Sequence, residues 1–143
     1  MIAVDTNVLV HAHRADASLH DGAMAAVTRL AEGRSAWAIP WPCVHEFLAI
    51  VTHPRIFDPP TGVRPAIDQV AAWMESPSLA LIGETTDHWD RLVELVSGSG
   101  VVGPRVHDAR VATICLSHGV SRLWTLDRDF SRFTPLRTIN PLA

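Results

Sequence analysis

Four acidic side chains stand where carboxylates are costly. Asp5 interrupts an apolar run, with Ile2, Ala3 and Val4 before it and Val8, Leu9 and Val10 after it. Glu46 is the one formal charge in PCVHEFLAIV, where helical spacing puts it on a face with Cys43, Ala49 and Ile50. Asp108, in VHDARVATICLSHG, shares its face with Val111, Ala112 and Cys115, and Asp127 follows the apolar LWTL. A carboxylate withdrawn from water must gain a partner, take up a proton or bind a cation. Crowded carboxylates cannot all ionise without a counter-charge, and all 12 basic residues are Arg, with no Lys in the chain. A bound divalent cation answers the need, and oxygen-only ligation suits Mg²⁺, or Mn²⁺ in its place, rather than zinc. Taken singly, Asp108 also fits the first turn of a helix, where the dipole favours a negative charge.

These acids need elements that bring them to one place. Strand-like segments lie at Ile2–Thr6, Ala36–Ile39, Leu79–Ile82, Arg122–Leu126 and Arg137–Ile139, and the apolar flanks of Asp5 read as a strand buried on both faces. Helical segments alternate with them. Ser18–Glu32 has Ser18 as its N-cap and Gly33 as its stop; Pro42–Thr52 starts on a proline; Pro65–Glu75 runs up to Ser76-Pro77. Asp87–Ser97 follows a Thr86 cap and stops at Gly98, and Val106–His118 ends at Gly119. Pro54–Gly62 and Gly98–Pro104 are loops. Strands alternating with helices specify an α/β sandwich with a mostly parallel central sheet flanked by helices. Ligands of such sheets bind beyond the carboxyl ends of the strands, where Asp5 and Asp127 both fall.

Composition narrows the classes further. A chain of 143 residues, 48% hydrophobic and 19% charged, suits one globular domain over 1–143. No apolar run is long enough to span a bilayer, and no basic segment precedes the first apolar stretch, so a cytoplasmic protein without membrane contact is expected. Cys43 and Cys115 match no metal or redox spacing and read as core thiols. The net charge of −3 argues against a general nucleic-acid coat, but it becomes +1 once the four candidate acids are set aside.

The ordered set of D-T-N in MIAVDTNVLV, Glu46 in a helix after a short strand, D-A-R-V-A-T, T-L-D-R-D-F and the closing TPLRTINPL resembles a PIN domain. More narrowly it resembles the VapC ribonuclease toxins of VapBC toxin–antitoxin modules. That resemblance implies a PIN-like three-layer sandwich and an acidic quartet of Asp5, Glu46, Asp108 and Asp127. Thr6 and Asn7 match the small polar residues after the first acid, and Thr125 the hydroxyl residue before the fourth. Asp129 competes with Asp127 for the fourth place; Asp127 is preferred because it lies nearer the strand end, and Asp129 is expected to cap the turn FSRF. The implied activity is metal-dependent endonucleolytic cleavage of RNA that leaves a 5′-phosphate.

In that chemistry Asp5 and Asp108 would touch Mg²⁺ most directly, with Glu46 and Asp127 holding its waters or completing a second site. Arg14, Arg105, Arg110, Arg128 and Arg132 lie near the motifs and could grip phosphates. His11 and His13, at i and i+2, do not share a helix face and are not required. Trp37, Trp73, Trp89 and Trp124 are expected in core or interface, and Trp41, between two prolines, in a partner groove. The resemblance also implies a VapB-like antitoxin that covers the acidic site, often with an Arg among the carboxylates. It further implies a homodimer through the first helices and Pro65–Glu75. A phosphatase of the haloacid dehalogenase type or a phosphorylated receiver domain would need a Lys, and the first also a second Asp where Asn7 stands. A catalytically silent PIN-fold adaptor that binds a protein or RNA partner is the alternative reading.

Overall fold

The computed structural model describes residues 1–143. Strand β1 (Ile2–Val4) is flanked by β2 (Trp37–Pro40) and β4 (Arg122–Trp124), with β3 (Leu79–Ile82) and β5 (Thr138–Ile139) outside them. All pairings are parallel, in the order β3-β2-β1-β4-β5. The chain thus moves outward from β1 through β2 to β3, then crosses back to β4 on the other side. Right-handed crossovers put the helices of the first two connections on one face and those of the third on the opposite face. In accord with this, α1 (Thr6–His13) packs on α2 (His20–Glu32) and α3 (Trp41–Val51), α3 packs on α4 (Val63–Met74), and α5 (His88–Ser99) packs on α6 (Arg105–Ser117). The result is the three-layer α/β sandwich expected. Its reversal of direction at β1 opens a crevice at the carboxyl ends of β1 and β4.

The first expected strand is shorter than Ile2–Thr6, and the apolar run after Asp5 is not strand at all. Val8, Leu9 and Val10 lie in α1 and are buried there. A short run that is apolar on every side fits a buried helix as well as a buried strand, so periodicity could not separate them. The helix starts on Asp5, whose side chain accepts a hydrogen bond from the Thr6 N–H at 2.8 Å and so caps it.

Other boundaries shift for local reasons. Strand β4 ends at Trp124 instead of Leu126, because Thr125 and Leu126 turn into the site. Ser18 caps nothing: α2 begins at His20, whose Nδ1 lies 2.9 Å from the His11 carbonyl oxygen. Thr86 does not cap α5, and the helix runs through Gly98 to end at Gly100, which adopts φ 69°. Trp37 and Trp73 are buried, but Trp89 is 72% exposed and lies outside the core, at the start of a helix that fully buries no residue. Cys43 and Cys115 are buried free thiols. No helix is long and apolar enough to cross a membrane.

Candidate active site

Asp5 leaves β1 directly into the crevice and is 6% exposed. Its Oδ1 accepts from the Thr6 N–H and, at 3.6 Å, from the Cys43 thiol; its Oδ2 accepts from Thr125 Oγ1 at 2.7 Å. None of these donors carries charge. Burial therefore pushes the Asp5 carboxyl up to about 6, against the lowering effect of the Thr125 and Thr6 hydrogen bonds and with a small further push from Glu46. Burial likewise holds the Cys43 and Cys115 thiols well above the usual range. They are packing groups, not nucleophiles.

Thr125 organises the residues around Asp5. Its Oγ1 donates to Asp5 and accepts from the Asp127 N–H at 3.1 Å and from Asn7 Nδ2 at 3.4 Å. Asn7 Oδ1 in turn accepts from the Leu126 N–H at 3.2 Å, tying the start of α1 to the end of β4. Thr6 Oγ1 donates to Glu46 Oε2 at 3.2 Å, linking the first acid to α3. The polar residues around D-T-N and T-L-D thus form one network.

Asp5, Glu46 and Asp108 line a common cleft of about 690 Å³, together with His45, Arg105, His107 and Arg110. Glu46 is solvent-exposed on the cleft wall, although its helix has little polar surface. Asp127 stands beside the cleft rather than in its lining, and its role in the backbone differs from that expected. It is Asp127, not Asp129, that caps the 3₁₀ turn Arg128–Arg132, with Oδ1 accepting from the Asp129 N–H at 2.9 Å. The carboxylate nearest the strand end is the one placed to meet the first free N–H of the turn.

Sequence spacing had not singled out the group that joins these acids. Arg105, the first residue of α6, donates from Nη1 to Asp108 Oδ2 at 2.9 Å and to Asp127 Oδ2 at 3.0 Å, and from Nη2 to Asp129 Oδ2. These carboxylates hold its guanidinium firmly in the charged form. Its i, i+3 relation to Asp108 was the available signal. Arg110 pairs with Glu84 at 2.5 Å, and Arg14 pairs with Asp16 and lies 4.3 Å over the Phe57 ring, away from the cleft. Arg128 and Arg132 are exposed. His13 bonds Gln69 and Thr61 and packs edge-on against Phe47, a structural role. Trp41 is 37% exposed at the start of α3, with its ring 6.2 Å from that of His45.

The donors fit a hard cation that keeps part of its water shell. They are carboxylate oxygens, and Asp5 is a buried acid bonded to neutral groups alone. No three His, Cys, Asp or Glu side chains stand close enough together to hold an ion on their own, so an ion here would keep much of its water, as Mg²⁺ does when bound through one or two carboxylates.

The PIN domain profile matches residues 2–134. Ribonuclease VapC43 of Mycobacterium tuberculosis is 33% identical over 142 residues, 99% of this chain and 96% of its own. Ribonuclease VapC48 of the same organism is 28% identical over 139 residues, 97% of this chain and 96% of its own. The crystal structure of VapBC2 from Rickettsia felis bound to a promoter DNA fragment shares the fold, with a TM-score of 0.70 at 18% identity over 97% of this chain and 98% of that one. The profile covers most of the chain and the VapC43 match nearly all of it, and the chain belongs to the PIN-domain family and, within it, to the VapC ribonucleases.

Proposed function

We propose that residues 1–143 act as a single PIN domain, the endoribonuclease toxin of a toxin–antitoxin pair, and hydrolyse RNA phosphodiester bonds with Mg²⁺, or Mn²⁺ in its place. The observation that carries this reading is the convergence of Asp5, Glu46 and Asp108 from three separate segments on one cleft. Asp5 and Asp108 would touch the ion most directly, and Glu46 would hold its waters. When bound, a divalent cation supplies an acidic water near neutral pH and offsets charge on the phosphoryl oxygens. Thr125 and Thr6 orient the Asp5 and Glu46 carboxylates through their hydroxyls, and Asn7 keeps Thr125 in place. Arg105 and Arg110 give the acidic cleft two cationic groups toward which a phosphate chain can be drawn.

The partner that fits this reading is a VapB-like antitoxin whose basic segment covers the acids. A homodimer through the first helices and α4 is supported by the exposed Met24, Val63, Ile67 and Met74. Action in the cytoplasm follows from the same reading. Cleavage of total RNA by the purified chain, freed of antitoxin, tests it: discrete fragments are expected with Mg²⁺ or Mn²⁺. EDTA abolishes them, and Asp5→Asn and Asp108→Asn lose them. Equal inactivity of wild type and variants on all RNAs and both metals would favour the adaptor reading instead.

A further inference from the structure

The acids of the cleft fall into two groups. Asp5 and Glu46 are bonded by neutral donors, from Thr6, Thr125 and Cys43. Asp108, Asp127 and Asp129 share one guanidinium. Asp127 in particular has both oxygens engaged, Oδ1 by the Asp129 N–H and Oδ2 by Arg105, and the Oδ2 atoms of Asp108 and Asp129 are turned to the same arginine. A second divalent ion among these three carboxylates would have to displace Arg105 or sit against its positive charge. The forked geometry matters. Three carboxylates from two segments are bridged by one planar group, which an ammonium point charge would do less well.

We propose that Arg105 is the second cation of this site. Resting on the metal-dependent reading above, the chain binds one divalent ion, at Asp5 and Glu46 and at Asp108 through the oxygen that Arg105 does not engage. Arg105 supplies the fixed positive charge beside it that a second ion would otherwise bring. Asp127 and Asp129 are then positioning residues that hold Arg105. The Asp108, Asp127 and Asp129 bonds use three of the five guanidinium N–H groups, and the side chain is 38% exposed at the cleft. Two N–H groups are left to meet an oxygen of the RNA phosphate.

Equilibrium titration of the purified chain with Mn²⁺, read by the electron paramagnetic resonance of the free ion, tests this without reference to turnover. Wild type is expected to bind one Mn²⁺ per chain. Arg105→Gln and Arg105→Met, which free the three aspartates, are expected to rise to two Mn²⁺ per chain over the concentration range in which wild type binds one. Arg105→Lys, which keeps the charge, is expected to remain at one. Circular dichroism confirms which variants fold, and if neither neutral variant folds the wild-type and Arg105→Lys stoichiometries decide. Two ions on wild type, or one on a folded neutral variant, would overturn the assignment while leaving the metal-dependent reading intact. No Mn²⁺ bound by wild type would sink that reading, and this inference with it.

Discussion

At the scale of the residue, Asp5 combines two duties that conflict. It caps α1 and sits on the cleft floor, and its burial holds the proton up to about 6 against an ordinary value of 3.8. Between those two pH values the folded chain binds the proton more tightly than the unfolded one does. Folding stability is therefore greatest below this window and falls as pH rises through it. For the metal-free protein the loss is on the order of 3 kcal/mol. Urea unfolding in EDTA at several pH values between about 4 and 7.5 should show the decline, and Asp5→Asn should flatten it. A wild-type profile as flat as that of the variant would mean that Asp5 keeps its ordinary acidity.

At the scale of the element, the end of α5 separates two glycines of the same loop. Gly98 is helical and Gly100 takes the left-handed conformation that closes the helix, and neither Cβ position meets a neighbouring atom. Substituting Ala at each position therefore tests backbone conformation with no change in packing. Gly100→Ala should destabilise by about 1 kcal/mol, whereas Gly98→Ala should stabilise by about 0.5–1 kcal/mol. Chemical denaturation of the two variants reads both signs in one series. Either glycine of the segment GSG offered a stop signal; the helix stops at Gly100, where the backbone turns left-handed and the Gly100 N–H still bonds the Val96 carbonyl oxygen.

At the scale of the whole molecule, the reversal of the chain at β1 brings distant segments to one edge, and a cation held there should fasten them together. Mg²⁺ or Mn²⁺ at a hundredfold excess over its dissociation constant should add about 2.7 kcal/mol to stability at neutral pH. The melting temperature should rise by several degrees, and by less near pH 5, where protons compete for Asp5. Asp5→Asn should lose most of that rise. A rise of equal size in the variant would place the ion elsewhere.

Residue types and their order determined the α/β class and the five strand positions to within a few residues, because burial and period leave direct marks on a sequence. Of the four candidate acids, Asp5, Glu46 and Asp108 line one cleft and Asp127 stands beside it, and of the four only Asp5 is buried. Glu46 was legible as a lone charge on an apolar helix, although the structure leaves it exposed on the cleft wall instead of withdrawn from water. Three things were decided by tertiary structure. The run Val8–Val10 became helix, capped by Asp5 and packed on α2 and α3, and local apolar pattern holds no information about partners that come from elsewhere in the chain, such as Thr125 and Cys43 on Asp5. The capping duty went to Asp127 because β4 ends early, at Trp124. Arg105 became the counter-ion because the crossover from β3 to β4 sets the start of α6 beside the residues that follow β4, and a charge finds its partners only when the sheet order has put them within reach.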